Sequence, residues 1–149
     1  MDNENLLNSI YQNIAMVLET IPEIRKITTD CDFKALIVGQ EESYQNLSDS
    51  VKDAITSNGD STEELNDLLK TYSEWMTKLK AMSDKNVSHL AEMCIQGYTM
   101  GMVKAIQKSH LYCDASKEAK HFGEKLISLH EKSINDKKIF VIVKSLCYD

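Results

Sequence analysis

The rarest residues constrain this chain most. It holds one proline, Pro22, and five glycines in 149 residues. A β-rich fold turns every few residues and needs clusters of Gly, Pro, Asn and Asp to do so. A chain this poor in breakers is expected to run in long helices joined by few loops. Its length suits one helical domain, 1–149, with a core large enough to stand without disulfides or metals.

Apolar spacing places the helices. Leu7, Ile10, Ile14, Val17 and Ile21 alternate three and four apart and predict a helix over 3–20. Thr20-Ile21-Pro22-Glu23 then looks like a capping box with proline in its first turn, so the helix is expected to kink or restart there, through Ile27. Around Asp30 a new N-cap opens a helix over 30–57, with Phe33, Ile37, Gln40, Tyr44, Leu47, Val51 and Ala54 on one face and Asn58-Gly59 as its stop. Ser61-Thr62-Glu63-Glu64 opens a third helix over 61–82, bearing Leu65, Leu68, Tyr72, Trp75, Leu79 and Met82. A fourth runs over 85–109. A fifth, capped by Asp114 or Ser116, covers 114–137 with Ala119, Phe122, Leu126, Leu129 and Ser133 inward. The β-branched run Ile139–Val143 suits a strand, but Phe140, Val143 and Cys147 keep helical spacing, which favours continuing the helix. A third and fourth helix fused into one rod would be about 70 Å long and overhang the rest, so a break is expected near Ser83-Asp84.

The fourth helix is apolar over roughly two-thirds of its circumference, at about 100° per residue. Leu90, Met93, Cys94, Tyr98, Met102 and Ile106 are among the residues on that arc. Such a helix is central in a bundle or lies in an oligomer interface. Gly97 and Gly101 sit near the middle of the arc. Each glycine costs roughly 1 kcal/mol against alanine, so the close approach of another backbone is the expected compensation.

The order of elements carries a likeness. Tyr72-Ser73-Glu74-Trp75-Met76, then Ser88-His89-Leu90-Ala91-Glu92-Met93 and Gln96-Gly97-Tyr98-Thr99-Met100-Gly101, follow two long helices and precede a fifth. Over nearly the whole chain this resembles small four-helix families of the ferritin-like superfamily. The resemblance implies an all-α, up-and-down four-helix bundle of two antiparallel hairpins, with a shorter helix linking them. It implies no activity, since such families include members without metal.

A carboxylate-bridged di-metal centre would need an inward Glu on two helices and an inward Glu-x-x-His on the other two. This chain departs from that pattern. His89 and Glu92 stand in reversed order, and the one true Glu-x-x-His, Glu118 and His121, turns its imidazole outward. The inward polar residues are Tyr11, Gln40, Tyr44, Cys94 and Tyr98, joined by His130 between the Leu126 and Ile134 positions. They read as a hydrogen-bonded layer that fixes register. The alternative is a small polar pocket for a ligand or for iron, manganese or zinc, with Glu41 and His130 as its charged members. One His and one Glu are too few for a tight structural metal site.

Charge excludes other classes. The net charge is −6, and the lysines of 117–138, including Lys137-Lys138, alternate with acids as on a solvated face. Nucleic acid and anionic membrane need a basic face and are not expected partners. No apolar stretch is long enough to span a bilayer and the N-terminus lacks a basic leader, so a soluble, cytoplasmic chain is expected. Cys31, Cys94, Cys113 and Cys147 form neither a CxxC pair nor a zinc cluster and are read as reduced thiols, mostly packed as small hydrophobes. A nucleophilic pairing of Cys94 with His130 is disfavoured, because a buried thiol is inert. No phosphate loop or serine elbow is present. The expected function is therefore that of a non-enzymatic helical bundle acting through self-association or protein binding, without a cofactor. A degenerate metal-binding or oxidoreductase bundle and a small-ligand binder are the alternatives.

Overall fold

The computed structural model describes residues 1–60, 69–83 and 86–148, the side chains at 69–71 and 142–148 excepted. The chain is all-α: α1 (Asp2–Ile27), α2 (Cys31–Ser57), α3 (Leu69–Lys80), α4 (Val87–Leu111) and α5 (Lys117–Tyr148), with no strand among the described residues. No described helix is long and apolar enough to cross a membrane. The opening of the third helix at Ser61-Thr62-Glu63-Glu64 lies outside the described residues.

Local chemistry sets most boundaries. The Asp30 carboxylate accepts from Phe33 N at 2.9 Å and starts α2, and Asn86 accepts from His89 N at 3.0 Å and starts α4. The Ser116 hydroxyl accepts from Ala119 N at 3.1 Å and starts α5. Gly59, at φ +79°, takes the left-handed conformation that ends α2.

One end differs from the sequence expectation. α1 does not stop at residue 20 but runs through Pro22 to Ile27. Proline removes one backbone donor, the one that would reach Leu18 O. Fully buried Ile21 and nearly buried Ile24 then hold the last turns by packing, with Arg25 and Lys26 suited to the helix C-terminus. At the other end, the favoured continuation of α5 past residue 137 is observed: the helix runs to Tyr148, about 48 Å in all. Tertiary packing overrides the β propensity of its final stretch, since Phe140 meets Phe33 edge-on at 5.0 Å.

The most extensive packing joins α4 to α5 and α1 to α2, and α1 and α5 also touch across the two pairs. The α4–α5 connection is tied to the start of α1, where Ser116 Oγ donates to Asn3 Oδ1 at 2.6 Å. α3 folds back onto α4. Trp75 Nε1 donates to Met93 O at 3.0 Å, and the indole lies against Gly97. One continuous rod would hold residues 75 and 97 about 33 Å apart, so the break expected near Ser83 is real.

Candidate functional site

The core contains a polar layer, built by helical spacing. α5 contributes His130, Ser133 and Lys137, α2 contributes Gln40 and Tyr44, α4 contributes Cys94 and Tyr98, and α1 contributes Asn13, all of them buried. Spacings of three, four and seven put each set on one helix face.

Its protons have one consistent arrangement. Asn13 Nδ2 donates to Gly101 O at 2.9 Å, which turns Asn13 Oδ1 toward His130. That oxygen only accepts, so His130 Nε2 carries the proton across their 2.8 Å contact. His130 Nδ1 is then the acceptor, and Tyr44 donates to it at 2.8 Å. The Tyr44 oxygen in turn accepts from Ser133 Oγ at 3.1 Å. Burial supports the same state: it pushes the His130 pKa down to about 3, so the ring is neutral at neutral pH. Burial also raises Tyr44 above the ordinary phenol value, against the Ser133 bond.

Lys137 is the exception to the solvated face expected for residues 117–138. It is fully buried, because it lies one turn beyond Ser133 and two beyond His130, on the inward face. Lys138, one position on, is exposed. The Lys137 Nζ donates to Gln40 Oε1 and to Ser133 O, the latter at 3.2 Å, and sits 4.3 Å from the Tyr98 ring centroid. Three donors thus meet two carbonyl oxygens and one π face. No ion pair to Lys137 occurs among the described residues. Burial lowers its pKa to about 8, with Cys94 and Asp136 opposing the shift. Gln40 Nε2 is buried without a hydrogen-bond partner among the described residues.

The charged candidates are not brought together. Glu41 pairs with Arg25 at 2.6 Å, partly exposed, while both nitrogens of His130 are occupied by Tyr44 and Asn13. Glu118 and His121 are both exposed, as is Glu92. No group of three His, Cys, Asp or Glu side chains suited to a metal occurs among the described residues. Cys94 is buried and its thiol is pushed up to about 12 by burial, so it is no nucleophile. Cys31 and Cys113 depart from the small-hydrophobe expectation, since both are exposed free thiols. Tyr11 is half-buried and packs on the core, and it makes no bond to the layer among the described residues.

Beside the layer, between α1, α3 and α4, lies a cleft of about 60 Å³, walled by Met16, Val17, Tyr72, Trp75, Tyr98 and Met100. At its mouth the Thr20 hydroxyl donates to Met16 O at 2.7 Å, so Tyr72 is the donor in its 3.0 Å bond to Thr20 Oγ. Gly97 and Gly101 border the cleft. The close approach expected of them comes from side chains and not from another backbone. A Cβ at Gly97 would stand 2.7 Å from Trp75 Cζ2, and one at Gly101 would stand 3.1 Å from His130 Nε2. Gly97→Ala is therefore expected to push the indole out and destabilise the fold by about 1–2 kcal/mol despite better helix propensity. Urea denaturation followed by the emission of Trp75, the sole tryptophan, checks this; an unchanged midpoint would contradict it.

Sequence reasoning missed Asn13 and Lys137. Asn13 lies on a second stripe beside the one chosen, formed with Leu6, Ile10, Val17 and Thr20 at four-three spacing. Lys137 lies seven residues after His130, and that spacing was the available signal. No protein-family model, curated protein or solved structure matches this chain.

Proposed function

We propose that this chain is a non-enzymatic helical bundle that acts by pairing with a second copy of itself through α4. In this reading α1, α2, α4 and α5 are the four members of an up-and-down bundle, and α3 is the shorter linking helix that the ferritin-like resemblance implies. The pairings α1–α2, α4–α5 and α1–α5 support that arrangement. The reading places the chain in the cytoplasm and assigns it no cofactor.

The observation that carries the proposal is an uncovered apolar stripe on α4. α1, α3 and α5 cover much of its apolar arc, but Ile106 remains 39% exposed and Val103 46% exposed. Ile95 and Met102 are half-buried. Ile95, Met102 and Ile106 fall within about 40° of one another around the helix. The occupant is argued from charge and symmetry. Glu92 and His110 are both exposed, share one angular position beside the stripe, and stand nine residues either side of Gly101. In a two-fold antiparallel pair of α4 helices each Glu92 meets the other copy's His110, and each Ile95 meets the other's Ile106. The same residues in a parallel pair would bring like against like. The occupied nitrogens of His130 and the raised thiol of Cys94 support the absence of catalysis.

Light scattering on the eluting full chain is expected to give a dimer mass. Ile106→Glu should give a monomer with unchanged helical circular dichroism. Glu92→Lys should weaken the dimer roughly 3–10-fold, and adding His110→Glu should restore it. A wild-type monomer at every concentration tested would overturn the proposal.

A further inference from the structure

We propose that the cleft between α1, α3 and α4 is a binding site for a small uncharged molecule with an aliphatic body and one hydroxyl or carbonyl oxygen. The claim is independent of pairing through α4, because Gly97, Met100 and Gly101 face the cleft from a different side of the helix than the Ile95–Ile106 stripe.

Three observations set the ligand's chemistry. First, among the described residues no Asp, Glu, Lys or Arg lines the cleft, so a charged ligand would be desolvated without a counterion from them. Second, the polar groups of Asn13 and Thr20 are already engaged. Asn13 holds Gly101 O and His130, and the Thr20 proton goes to Met16 O. Third, the Tyr98 hydroxyl makes no hydrogen bond among the described residues, although Tyr98 lines the cleft and is only 5% exposed. That oxygen is reached by solvent, since Gln40 Nε2 is the one fully enclosed polar side-chain atom without a partner among the described residues, so a ligand oxygen there would take the place of water. Burial raises the Tyr98 pKa, so the phenol stays a neutral donor. The remaining wall is mostly apolar and adaptable, with Met16 and Met100 among its residues beside Tyr72 and Trp75. The cleft is half open to solvent, so a bound alkyl chain can extend beyond the roughly 60 Å³ enclosed by its walls. It therefore admits a short alkyl group with its oxygen on Tyr98.

The test uses the full chain and an isosteric series: 1-butanol, sodium butyrate and butylammonium chloride, with xenon as a purely apolar probe. Trp75 walls the cleft and is the sole tryptophan, so its emission reads occupancy directly. Butanol is expected to change that emission saturably and to raise the melting temperature by roughly 2–4 °C. The two charged isosteres should do neither. Tyr98→Phe keeps the ring beneath Lys137 and removes the hydroxyl. It should weaken butanol about 3–10-fold and leave xenon binding unchanged. Val17→Phe, which fills the cleft, should abolish both. Amide shifts at Gly97 and Gly101 locate the probe in the unmodified chain, so the outcome does not depend on any variant folding. The proposal is overturned by an unsaturable butanol response, by equal binding of butyrate or butylammonium, by unchanged butanol affinity in Tyr98→Phe, or by shifts that avoid the two glycines.

Discussion

Replacing Lys137 by methionine together with Gln40 by leucine is expected to stabilise the fold by about 1–4 kcal/mol at neutral pH. The wild type holds a fully buried ammonium against two carbonyl oxygens and a ring, with no carboxylate paired to it among the described residues and the Asp136 charge only partly offsetting its desolvation. The Gln40 Nε2 beside it has no partner among the described residues. An apolar pair of similar volume removes both penalties. The single changes should behave differently. Gln40→Leu alone takes away an acceptor and leaves the cation, losing about 2–3 kcal/mol, whereas Lys137→Met alone strands the Gln40 amide and should be near neutral.

The pH dependence separates this explanation from simple repacking. The folded pKa of Lys137 is lowered from 10.5 to about 8. Below pH 8 both folded and unfolded lysine carry the proton, and the full burial penalty applies. Between pH 8 and 10.5 only the unfolded state keeps it, so stability rises with pH through that window. Cys94 opposes this, since its pKa is raised from 9.0 to about 12: the unfolded thiol ionises first and stability falls above pH 9. Because Lys137 lowers the Cys94 pKa, the difference between wild type and double variant reports the lysine together with its coupling to Cys94. That difference should shrink as pH climbs from 8 to 10.5. Urea midpoints across this range decide it, and a constant difference would refute the buried charge.

Acid should be the chain's weakness, through His130. Its pKa is lowered from 6.5 to about 3 by burial. Above pH 6.5 the imidazole is neutral in both states. As pH falls from 6.5 to 3 only the unfolded state takes a proton, and stability drops by up to about 5 kcal/mol. Protonation in place is blocked because His130 Nδ1 is the acceptor of the Tyr44 bond. His130→Gln should therefore be less stable at neutral pH by about 2–3 kcal/mol, having disturbed Tyr44 and Asn13, yet lose less on acidification. Denaturation curves of both proteins from neutral to acid pH test this. An imidazole that titrates near 6.5 by NMR in the folded wild type would contradict it.

Much of the helical order was legible because it rests on neighbours in sequence. The alternating spacing from Phe33 to Ala54, the Asp30 cap and the Gly59 stop needed only local geometry, and all recur in α2. The inward placement of Gln40, Tyr44, Tyr98 and His130 followed from the same periodicity. Pro22 misled, and at Ile139–Val143 helical spacing rightly prevailed over β propensity, because propensity is a weak local term. Packing of Ile21 and Ile24 in one case, and of Phe140 on Phe33 in the other, outweighs it. Gly97 and Gly101 marked close approach correctly, but which group approaches, an indole and an imidazole, depends on helices far away in the chain.

The sequence by itself determined that this chain is helical, where most helices begin, and which face of each turns inward, because caps and three-four spacing act over a single turn. The tertiary structure alone decided what those inward residues do. Lys137 meets Gln40 across 97 positions, and His130 meets Asn13 across 117. A lysine in a run of alternating charges reads as solvated until α2 and α4 close over it. The free energy of a buried polar group depends on the partners that distant elements bring within hydrogen-bond reach.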